Sequence, residues 1–241
     1  MSLEVRGLCK SFGALAVTQD VALDVPAPGL HALIGPNGAG KTSLIHQLMG
    51  TLTPDAGQIR LDGRDITRLA PHRRARLGLA RTFQITQLVP GFTAAENVAL
   101  ALQARSRHPL RSWGRAGEGG VEAFLAAVGL AGRAGILAQE LSHGERRALE
   151  IAAALALEPR CILLDEPLAG MGHEEAQGIV ALLQGLKLRF GLLLVEHDMD
   201  AVFALADRVS VLVSGAVIAS GTPEQVRADP AVRIAYLGDE C

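Results

Sequence analysis

Residues 35–42, which read GPNGAGKT, constrain the fold of this 241-residue chain more than any other feature. They follow an apolar run at 30–34 that predicts a β-strand, and they precede a helical pattern over 42–49 that Gly50 ends. Glycines at this spacing allow backbone N–H groups to converge on phosphate oxygens, and the helix that follows directs its positive end at them. The segment therefore predicts a phosphate-binding loop between a strand and a helix.

Such a loop binds a nucleoside triphosphate through side chains as well as backbone. Lys41 is expected to reach the β- and γ-phosphates as a point charge, and the Thr42 hydroxyl is expected to bind Mg²⁺. The alternative is a chance glycine turn, since a random chain of this length would match the spacing about once in a hundred times. The candidate nucleotide-binding residues are Gly35, Pro36, Asn37, Gly38, Ala39, Gly40, Lys41, Thr42 and Ser43.

Two adjacent carboxylates, Asp165 and Glu166, follow a second apolar run at 161–164. Burying both charges is costly unless a cation or a reaction uses them. Asp165 is therefore the expected magnesium ligand, acting through water, and Glu166 is expected to orient or deprotonate an attacking water molecule. A strand that ends in Asp-Glu-Pro is alternatively just a turn, but its place downstream of a phosphate loop favours the catalytic interpretation.

A third apolar run at 192–195 leads into Glu196, His197 and Asp198. In isolation, a histidine at the end of a strand is more often a surface or structural residue. Beside the other two strand ends, His197 is a candidate catalytic residue that senses the γ-phosphate, because its imidazole can bond a phosphate oxygen and the attacking water.

The alternation of apolar runs and helical patterns predicts an α/β domain built mainly on parallel strands. Near the C-terminus, residues 209–213 and 217–219 predict a hairpin around Ser214 and Gly215.

The middle of the chain differs, because helical patterns cover 94–104, 121–128 and 145–157. We therefore expect one domain over residues 1–241, with a core formed by 1–84 and 160–241 and an all-helical insertion at 85–159. Residues 105–120, which contain Pro109 and four glycines, predict an exposed loop.

Composition excludes several classes of protein. Aromatic residues make up 3% of the chain and its net charge is -2, which argues against a protein that stacks exposed bases or presents a basic face to nucleic acid. No apolar run approaches the ~18 residues that cross a bilayer, and the first residues lack the pattern of a signal peptide. We therefore expect any membrane role to come through a partner.

The order of these motifs resembles that of the ATP-binding subunits of ABC transporters, over essentially the whole chain. Phe12 matches the aromatic residue that stacks on adenine in that family, although it is alternatively a core phenylalanine. Gln84, in Thr82-Phe83-Gln84, matches the glutamine that serves the catalytic and magnesium site and couples it to the transmembrane partner. His197 matches the switch histidine of the family.

Residues 141–145, LSHGE, resemble the signature motif Leu-Ser-Gly-Gly-Gln, with His143 and Glu145 as departures. In the family this helix start faces the γ-phosphate of ATP held by the opposite subunit. The resemblance therefore implies that Ser142 and the N–H of Gly144 contact the nucleotide across a dimer interface. Because Ser142 and Glu145 also have the spacing of a capping box, we hypothesise that Glu145 points back into it rather than at phosphate.

The resemblance implies an α/β fold with a P-loop NTPase (RecA-like) core, an N-terminal antiparallel β subdomain and an inserted α-helical subdomain. It implies ATP and Mg²⁺ as cofactors and an ATPase cycle in which nucleotide closes a dimer and hydrolysis reopens it. The implied partners are a second ATP-binding subunit in a homodimer or heterodimer, two transmembrane permease subunits and, indirectly, a periplasmic solute-binding protein, with no nucleic acid. The implied location is the cytoplasmic face of the bacterial inner membrane, attached through the permeases.

Residues 168–172, LAGMG, stand where the family often has Ser-Ala-Leu-Asp. Together with the signature segment, 195–200 and 235–238, they resemble the branched-chain amino acid branch of bacterial importers, whose members also carry amides and urea. Two rivals are an ABC-type ATPase that acts on nucleic acid or ribosomes, and a P-loop kinase, in which the signature would have no role.

A basic cluster at Arg73, Arg74 and Arg76 predicts a solvated face. Its alternative is a contact with acidic lipid headgroups or permease loops.

Overall fold

The computed structural model describes residues 2–82, 88–104 and 118–237. In chain order, its strands are β1 (Ser2–Phe12), β2 (Leu15–Pro26), β3 (Gly29–Ile34), β4 (Ala56–Leu61), β5 (Arg64–Asp65), β6 (Leu79–Thr82), β7 (Cys161–Asp165), β8 (Gly191–Val195), β9 (Arg208–Val213) and β10 (Ala216–Gly221). Its helices are α1 (Lys41–Met49), α2 (Pro71–Arg76), α3 (Ala94–Ala104), α4 (Glu118–Ala127), α5 (His143–Ala156), α6 (His173–Leu186), α7 (Met199–Leu205), α8 (Pro223–Ala228) and α9 (Pro230–Leu237). Within these described ranges, every helix is too short or too polar to cross a bilayer.

Two sheets organise the fold. The N-terminal sheet is antiparallel and has the strand order β2-β1-β4-β5. The second sheet has the order β10-β9-β3-β8-β7-β6, and all its neighbours pair in parallel except β10 with β9. The expectation of an α/β fold with a mainly parallel sheet, an N-terminal antiparallel sheet and a C-terminal hairpin is confirmed. The carboxyl ends of β3, β8 and β7 lie side by side, where ligands bind in open α/β sheets.

Both faces of the parallel sheet are buried, which explains why its strands read as continuous apolar runs. On β7, Ile162 and Leu164 pack into a cluster that includes residues of α3 to α7. Cys161 and Leu163 pack into a second cluster with α1 and the antiparallel sheet. Because successive side chains of a strand point to opposite faces, Asp165 at the end of β7 lies on the face that α1 covers.

Helices fill the described residues between β6 and β7. The helices predicted at 94–104, 121–128 and 145–157 are confirmed as α3, α4 and α5, with ends that differ by a few residues. Of the loop predicted at 105–120, residues 105–117 lie outside the described residues, and 118–120 belong to α4 instead. Two short 3-10 turns, Ala131–Arg133 and Ala138–Glu140, join α4 to α5. An isolated β-bridge between Thr93 and Leu137 is an addition that the sequence did not indicate.

Arg74 departs from the predicted solvated face. Arg73 and Arg76 are exposed, but Arg74 is only 1% exposed. Its guanidinium donates to the backbone carbonyls of Gln47, Leu48, Thr67 and Leu69. Burial lowers the pKa of Arg74 to about 10. For this residue the prediction is wrong, because the carbonyls at the C-terminal end of α1 satisfy the guanidinium in place of water.

Candidate functional site

The loop between β3 and α1 requires glycine at two positions. Gly40 has a φ of 105°, and a Cβ there would lie 2.3 Å from the carbonyl oxygen of Val17 on β2. A Cβ on Gly35 would lie 2.1 Å from the carbonyl oxygen of Leu212 on β9. Backbone oxygens cannot move aside as the end of a side chain can, so another residue at either position would push the loop away from both strands.

Lys41 begins α1 and lies back over the loop. Its Nζ donates to the carbonyl oxygens of Gly35 at 2.6 Å and Pro36 at 3.0 Å. Burial lowers the pKa of Lys41, while the negative charges of Glu166 and Asp165 act against that shift. The fold therefore brings the predicted lysine within electrostatic range of the two predicted carboxylates. Thr42, the next residue, is exposed.

Asp165 is buried at the carboxyl end of β7, with 5% of its side chain exposed. Its Oδ2 accepts a hydrogen bond of 2.7 Å from Nη2 of Arg81, which is buried on the neighbouring strand β6. Such a pair compensates the cost of burying a carboxylate. Arg81 was missed by the sequence analysis, although an arginine inside a short apolar strand signals a buried acidic partner.

Glu166 has a φ of 47°, a left-handed conformation that residues other than glycine rarely adopt. Its N–H donates to the carbonyl oxygen of Val195 at the end of β8, at 2.8 Å. Its own carbonyl oxygen accepts the N–H of Ala169 at 3.2 Å. The backbone of Glu166 is therefore fixed from both sides at a half-buried position.

His197 lies two residues beyond the end of β8, and 67% of its side chain is exposed. The imidazole is therefore open to a ligand at the edge where β3, β7 and β8 end. Glu196, which precedes it, is only 1% exposed and accepts backbone hydrogen bonds from Leu168 and His197. Glu196 was not predicted as a site residue, although it directly follows β8 as Asp165 directly follows the apolar run 161–164.

The signature segment begins helix α5. Ser142 Oγ accepts the N–H of Glu145 at 3.2 Å, and Glu145 Oε2 accepts the N–H of Ser142 at 2.9 Å. The hypothesis that Glu145 folds back into a capping box is therefore confirmed. The other oxygen, Oε1, accepts a hydrogen bond of 2.8 Å from Nε of Arg133.

A second carboxylate contacts the same helix start. Glu175, in the first turn of α6, accepts the N–H of Gly144 on its Oε1 at 3.2 Å. The N–H of Gly144, followed by the Ser142 hydroxyl, holds the pKa of Glu175 below its usual value. Ser142 and Gly144 thus both interact with acids of their own chain. Glu175 was not predictable from the sequence, because its contact joins helices α5 and α6 across 31 positions.

Phe12 is exposed at the end of β1, with 54% of its surface accessible. The alternative that it is a core residue is therefore wrong. The Nζ of Lys10 lies 5.6 Å from the ring centroid and pairs with Asp55 at 2.6 Å. An exposed ring of this kind is available to stack on a planar ligand. Gln84 lies outside the described residues.

Family comparisons agree with this geometry. Residues 18–169 match the family model described as ABC transporter, which is more than half of the chain. Residues 216–241 match a second model, described as branched-chain amino acid ATP-binding cassette transporter.

Curated relatives align along almost the full length. The chain is 40% identical to the high-affinity branched-chain amino acid transport ATP-binding protein BraF of Pseudomonas aeruginosa, over 98% of each chain. It is 37% identical to the lipopolysaccharide export system ATP-binding protein LptB of Acidithiobacillus ferridurans, over 99% of this chain and 97% of that protein. It is 35% identical to the branched-chain amino acid transport ATP-binding protein LivG of Escherichia coli, over 98% of each chain.

Solved structures agree with the curated relatives. The ADP conformation of an ATP-binding cassette of an ABC transporter superimposes with a TM-score of 0.87 at 31% identity, covering 99% of both chains. A nucleotide-free cassette superimposes with a TM-score of 0.86 at 30% identity, covering 98% of this chain and 99% of the other. The chain therefore belongs to the ABC transporter family and is one of its ATP-binding, ATP-hydrolysing subunits.

Proposed function

We propose that this ATPase drives the uptake of branched-chain or related hydrophobic amino acids, amides or urea through partner permeases. The observation that supports ATP hydrolysis is that the ends of three neighbouring strands lie side by side. The carboxyl ends of β3, β8 and β7 are neighbours, and they place Lys41, His197 and the pair Asp165 and Glu166 at one edge of the sheet. These residue types are the ones that phosphoryl transfer from a triphosphate requires.

ATP is assigned to the loop at 35–42, with its phosphates on the loop backbone and on Lys41. The loop residues Gly35, Pro36, Asn37, Gly38, Ala39, Gly40, Lys41, Thr42 and Ser43 form this binding set. The exposed ring of Phe12 is assigned to the adenine base. Glu166 orients and deprotonates the attacking water, and His197 bonds the γ-phosphate.

Magnesium is assigned to the Thr42 hydroxyl and the Asp165 carboxylate, with Gln84 as a third candidate ligand. The first two donors fit this ion, because Mg²⁺ prefers oxygen ligands and usually keeps several waters beside one or two carboxylates and the substrate phosphates. Among the residues that the structure describes, three or more His, Cys, Asp or Glu side chains are nowhere grouped as a metal site. When bound, Mg²⁺ supplies positive charge against the phosphates.

The working unit is assigned to a pair of ATPase subunits, either two copies or one copy and a sister protein. In that pair, Ser142 and the N–H of Gly144 bind the γ-phosphate of the nucleotide held by the other subunit. The helical insertion at 85–159 and Gln84 transmit closure of the pair to two permease subunits. The subunits then lie at the cytoplasmic face of the inner membrane and receive solute indirectly from a periplasmic binding protein.

Two comparisons support amino acid uptake. The relatives BraF and LivG are named for branched-chain amino acid transport, and residues 216–241 match a model for that branch. A second candidate is lipopolysaccharide export, because LptB aligns over 99% of this chain. The C-terminal match favours amino acid uptake over export.

The ATPase assignment is tested with the substitution Glu166→Gln. We expect ATP binding to persist and steady-state phosphate release to fall by at least ~100-fold, because the general base is lost. ATP should then trap a dimer that size-exclusion chromatography detects. The matched control is Glu174→Gln, which removes an exposed carboxylate from α6 and should leave phosphate release unchanged. Undiminished phosphate release from the Glu166 variant would contradict the assigned role.

The cargo is tested by purifying the assembled complex and reconstituting it in vesicles with its co-purifying subunits. Amino acid uptake predicts ATP-dependent accumulation of labelled leucine, isoleucine or valine, or of an amide or urea. Extraction of lipopolysaccharide without uptake of any of these solutes would favour the export candidate.

A further inference from the structure

The buried carboxylate of Glu196 joins the two loops that carry the proposed catalytic residues. Its Oε1 accepts the N–H of Leu168 at 2.9 Å, in the loop that follows Glu166. Its Oε2 accepts the N–H of His197 at 3.0 Å, in the loop that follows β8. Since both oxygens act as acceptors, one side chain holds a backbone donor on each side of the site.

Because the carboxylate of Glu196 is buried, its oxygens need hydrogen-bond partners from the protein. Glu196 is 1% exposed, so its charge is stabilised by protein groups rather than by bulk water. Nδ1 of His197 lies 3.6 Å from Oε2, and the N–H of Asp198 lies 3.5 Å from the same oxygen. A carboxylate held in this way resists displacement, because moving it would leave the N–H groups of Leu168 and His197 without an acceptor.

The backbone of Glu166 needs such support. Its φ of 47° is a strained conformation for a residue other than glycine, and it persists only where the surroundings impose it. The N–H of Glu166 is held by Val195, the residue before Glu196, and the N–H of Leu168 is held by Glu196 itself. The end of β8 therefore fixes the chain on both sides of Pro167.

We infer that Glu196 is a positioning residue for ATP hydrolysis. It holds loops 166–172 and 196–198 as one unit, so that Glu166 and His197 keep a constant spacing around the same γ-phosphate. The inference deepens the proposed function and rests on it. Glu196 acts through the two loops and not by contact with the nucleotide.

The test compares Glu196→Gln with Asp198→Asn, two isosteric changes of acid to amide that lie two positions apart in the sequence. A glutamine side chain offers one acceptor oxygen, and its amide group repels the other N–H, so the bond to either Leu168 or His197 is lost. Asp198 caps helix α7 by accepting the N–H groups of Asp200 and Ala201. Among the described residues its side chain makes no hydrogen bond to loop 166–172, and asparagine is an equally good cap.

We expect Glu196→Gln to lower kcat by ~10- to 100-fold while the Kd for ATP stays within about threefold, because misplaced catalytic groups affect turnover more than binding. Amide exchange at Leu168 should become faster in this variant. Asp198→Asn should keep the wild-type kcat. The double variant with His197→Ala should lose less than the product of the two single losses, because both substitutions disturb the same unit.

Several results would overturn the inference: a kcat of Glu196→Gln within threefold of wild type, a loss of ATP binding equal to the loss of kcat, or full additivity with His197→Ala. If Glu196→Gln does not fold, Glu196→Asp supplies the test, since its shorter side chain cannot reach both loops. An unchanged kcat in that variant would also overturn the inference. Failure of the proposed function looks different, because Glu166→Gln would then release phosphate at the wild-type rate.

Discussion

The two helix starts that are assigned to phosphate are built in opposite ways. At α1, a left-handed Gly40 precedes the helix, and among the described residues no side chain caps it and no acid stands in its first turn. At α5, Ser142 and Glu145 close a capping box, and Glu175 accepts the N–H of Gly144.

This difference indicates how each half of the site responds to ATP. The N–H groups at the start of α1 meet no acid of their own helix, so the loop can accept phosphate as it stands. The start of α5 already holds two carboxylates, which fill the place that the macrodipole favours for an anion. If the proposed dimer closes on α5, we expect the γ-phosphate to displace Glu175 from Gly144. The loop is expected to set nucleotide affinity, and the signature segment to set the cost of closure.

The largest loss of ATP binding is expected from a substitution that distorts the phosphate loop at 35–42. In Gly40→Ala, the new Cβ would meet the carbonyl oxygen of Val17 at 2.3 Å and would stand in a left-handed conformation. ATP binding should weaken by at least ~10-fold and the melting temperature should fall, because the strain cannot be relieved locally.

Gly38→Ala is the matched control for this substitution. Gly38 shares the left-handed backbone, with a φ of 78°, but a Cβ there meets nothing within 4 Å. Its ATP affinity, measured by isothermal titration calorimetry, should lie between wild type and Gly40→Ala. Equal losses in both variants would show that backbone strain, and not contact with β2, constrains the loop.

A smaller effect is expected from uncapping α5 with Ser142→Ala. Loss of an N-cap side chain costs ~1 kcal/mol of stability, and loss of the hydroxyl should also weaken ATP-driven dimerisation. Thr222→Ala removes an equivalent capping box from α8 and should lower stability alone. Denaturant unfolding and analytical ultracentrifugation measure the two properties separately. Equal ATP-driven dimerisation of Ser142→Ala and Thr222→Ala would show that the Ser142 hydroxyl does not contribute to the dimer interface.

Glu175→Gln removes the charge of the carboxylate that competes for Gly144, and we expect it to strengthen ATP-driven dimerisation. The ATP concentration at half-maximal dimerisation should fall by about threefold to tenfold, because phosphate no longer displaces a charged acceptor. Glu174→Gln is again the control, since Glu174 is an exposed acid in the same helical turn. A weaker dimer in Glu175→Gln would mean that Glu175 assists closure instead of opposing it.

The lowered pKa of Glu175 sets the pH range over which Glu175→Gln should affect dimerisation. Its pKa is lowered in the folded protein, chiefly by the N–H of Gly144. The contact therefore contributes stability above the ordinary carboxyl pKa of about 4.3, and this contribution is lost as the pH falls through the lowered value. Between pH 6 and 8 the effect of Glu175→Gln on dimerisation should be constant. A strong pH dependence in that range would assign the contact to another titrating group.

The smallest effect is expected from Glu145→Gln. Glutamine also completes a capping box, so helix α5 should keep its start and ATP affinity should change by less than about threefold. The ion pair with Arg133 is lost, but a partly exposed pair contributes at most ~1 kcal/mol. An increase of tenfold or more in ATP affinity would indicate that Glu145 faces phosphate after all.

Local patterns in the sequence predicted the parts of the site that follow strands. The phosphate loop, Asp165, Glu166 and His197 each stand within two residues of the end of an apolar run, and parallel strands bring such ends to one edge. Ser142 and Glu145 were predictable for the same reason, since a capping box depends only on residues three positions apart.

Contacts between distant segments were not predictable in this way. Arg81 pairs with Asp165 only because β6 and β7 are neighbours, and Glu175 reaches Gly144 only because α6 packs beside α5. Arg74 was wrongly predicted to be solvated, because nothing in its own helix shows that the C-terminal end of α1 packs against it.

Short stretches of the chain encode the chemical groups of this protein: a glycine loop for phosphate, adjacent acids, a histidine and a capped helix, each within a few neighbouring residues. How those groups are held depends on the packing of distant segments. The partners of Asp165, Gly144 and the loop after Glu166 are Arg81, Glu175 and Glu196, and each lies on a separate element. The physical reason is that charge compensation in a buried site depends on distances in space, which strand order and helix packing set.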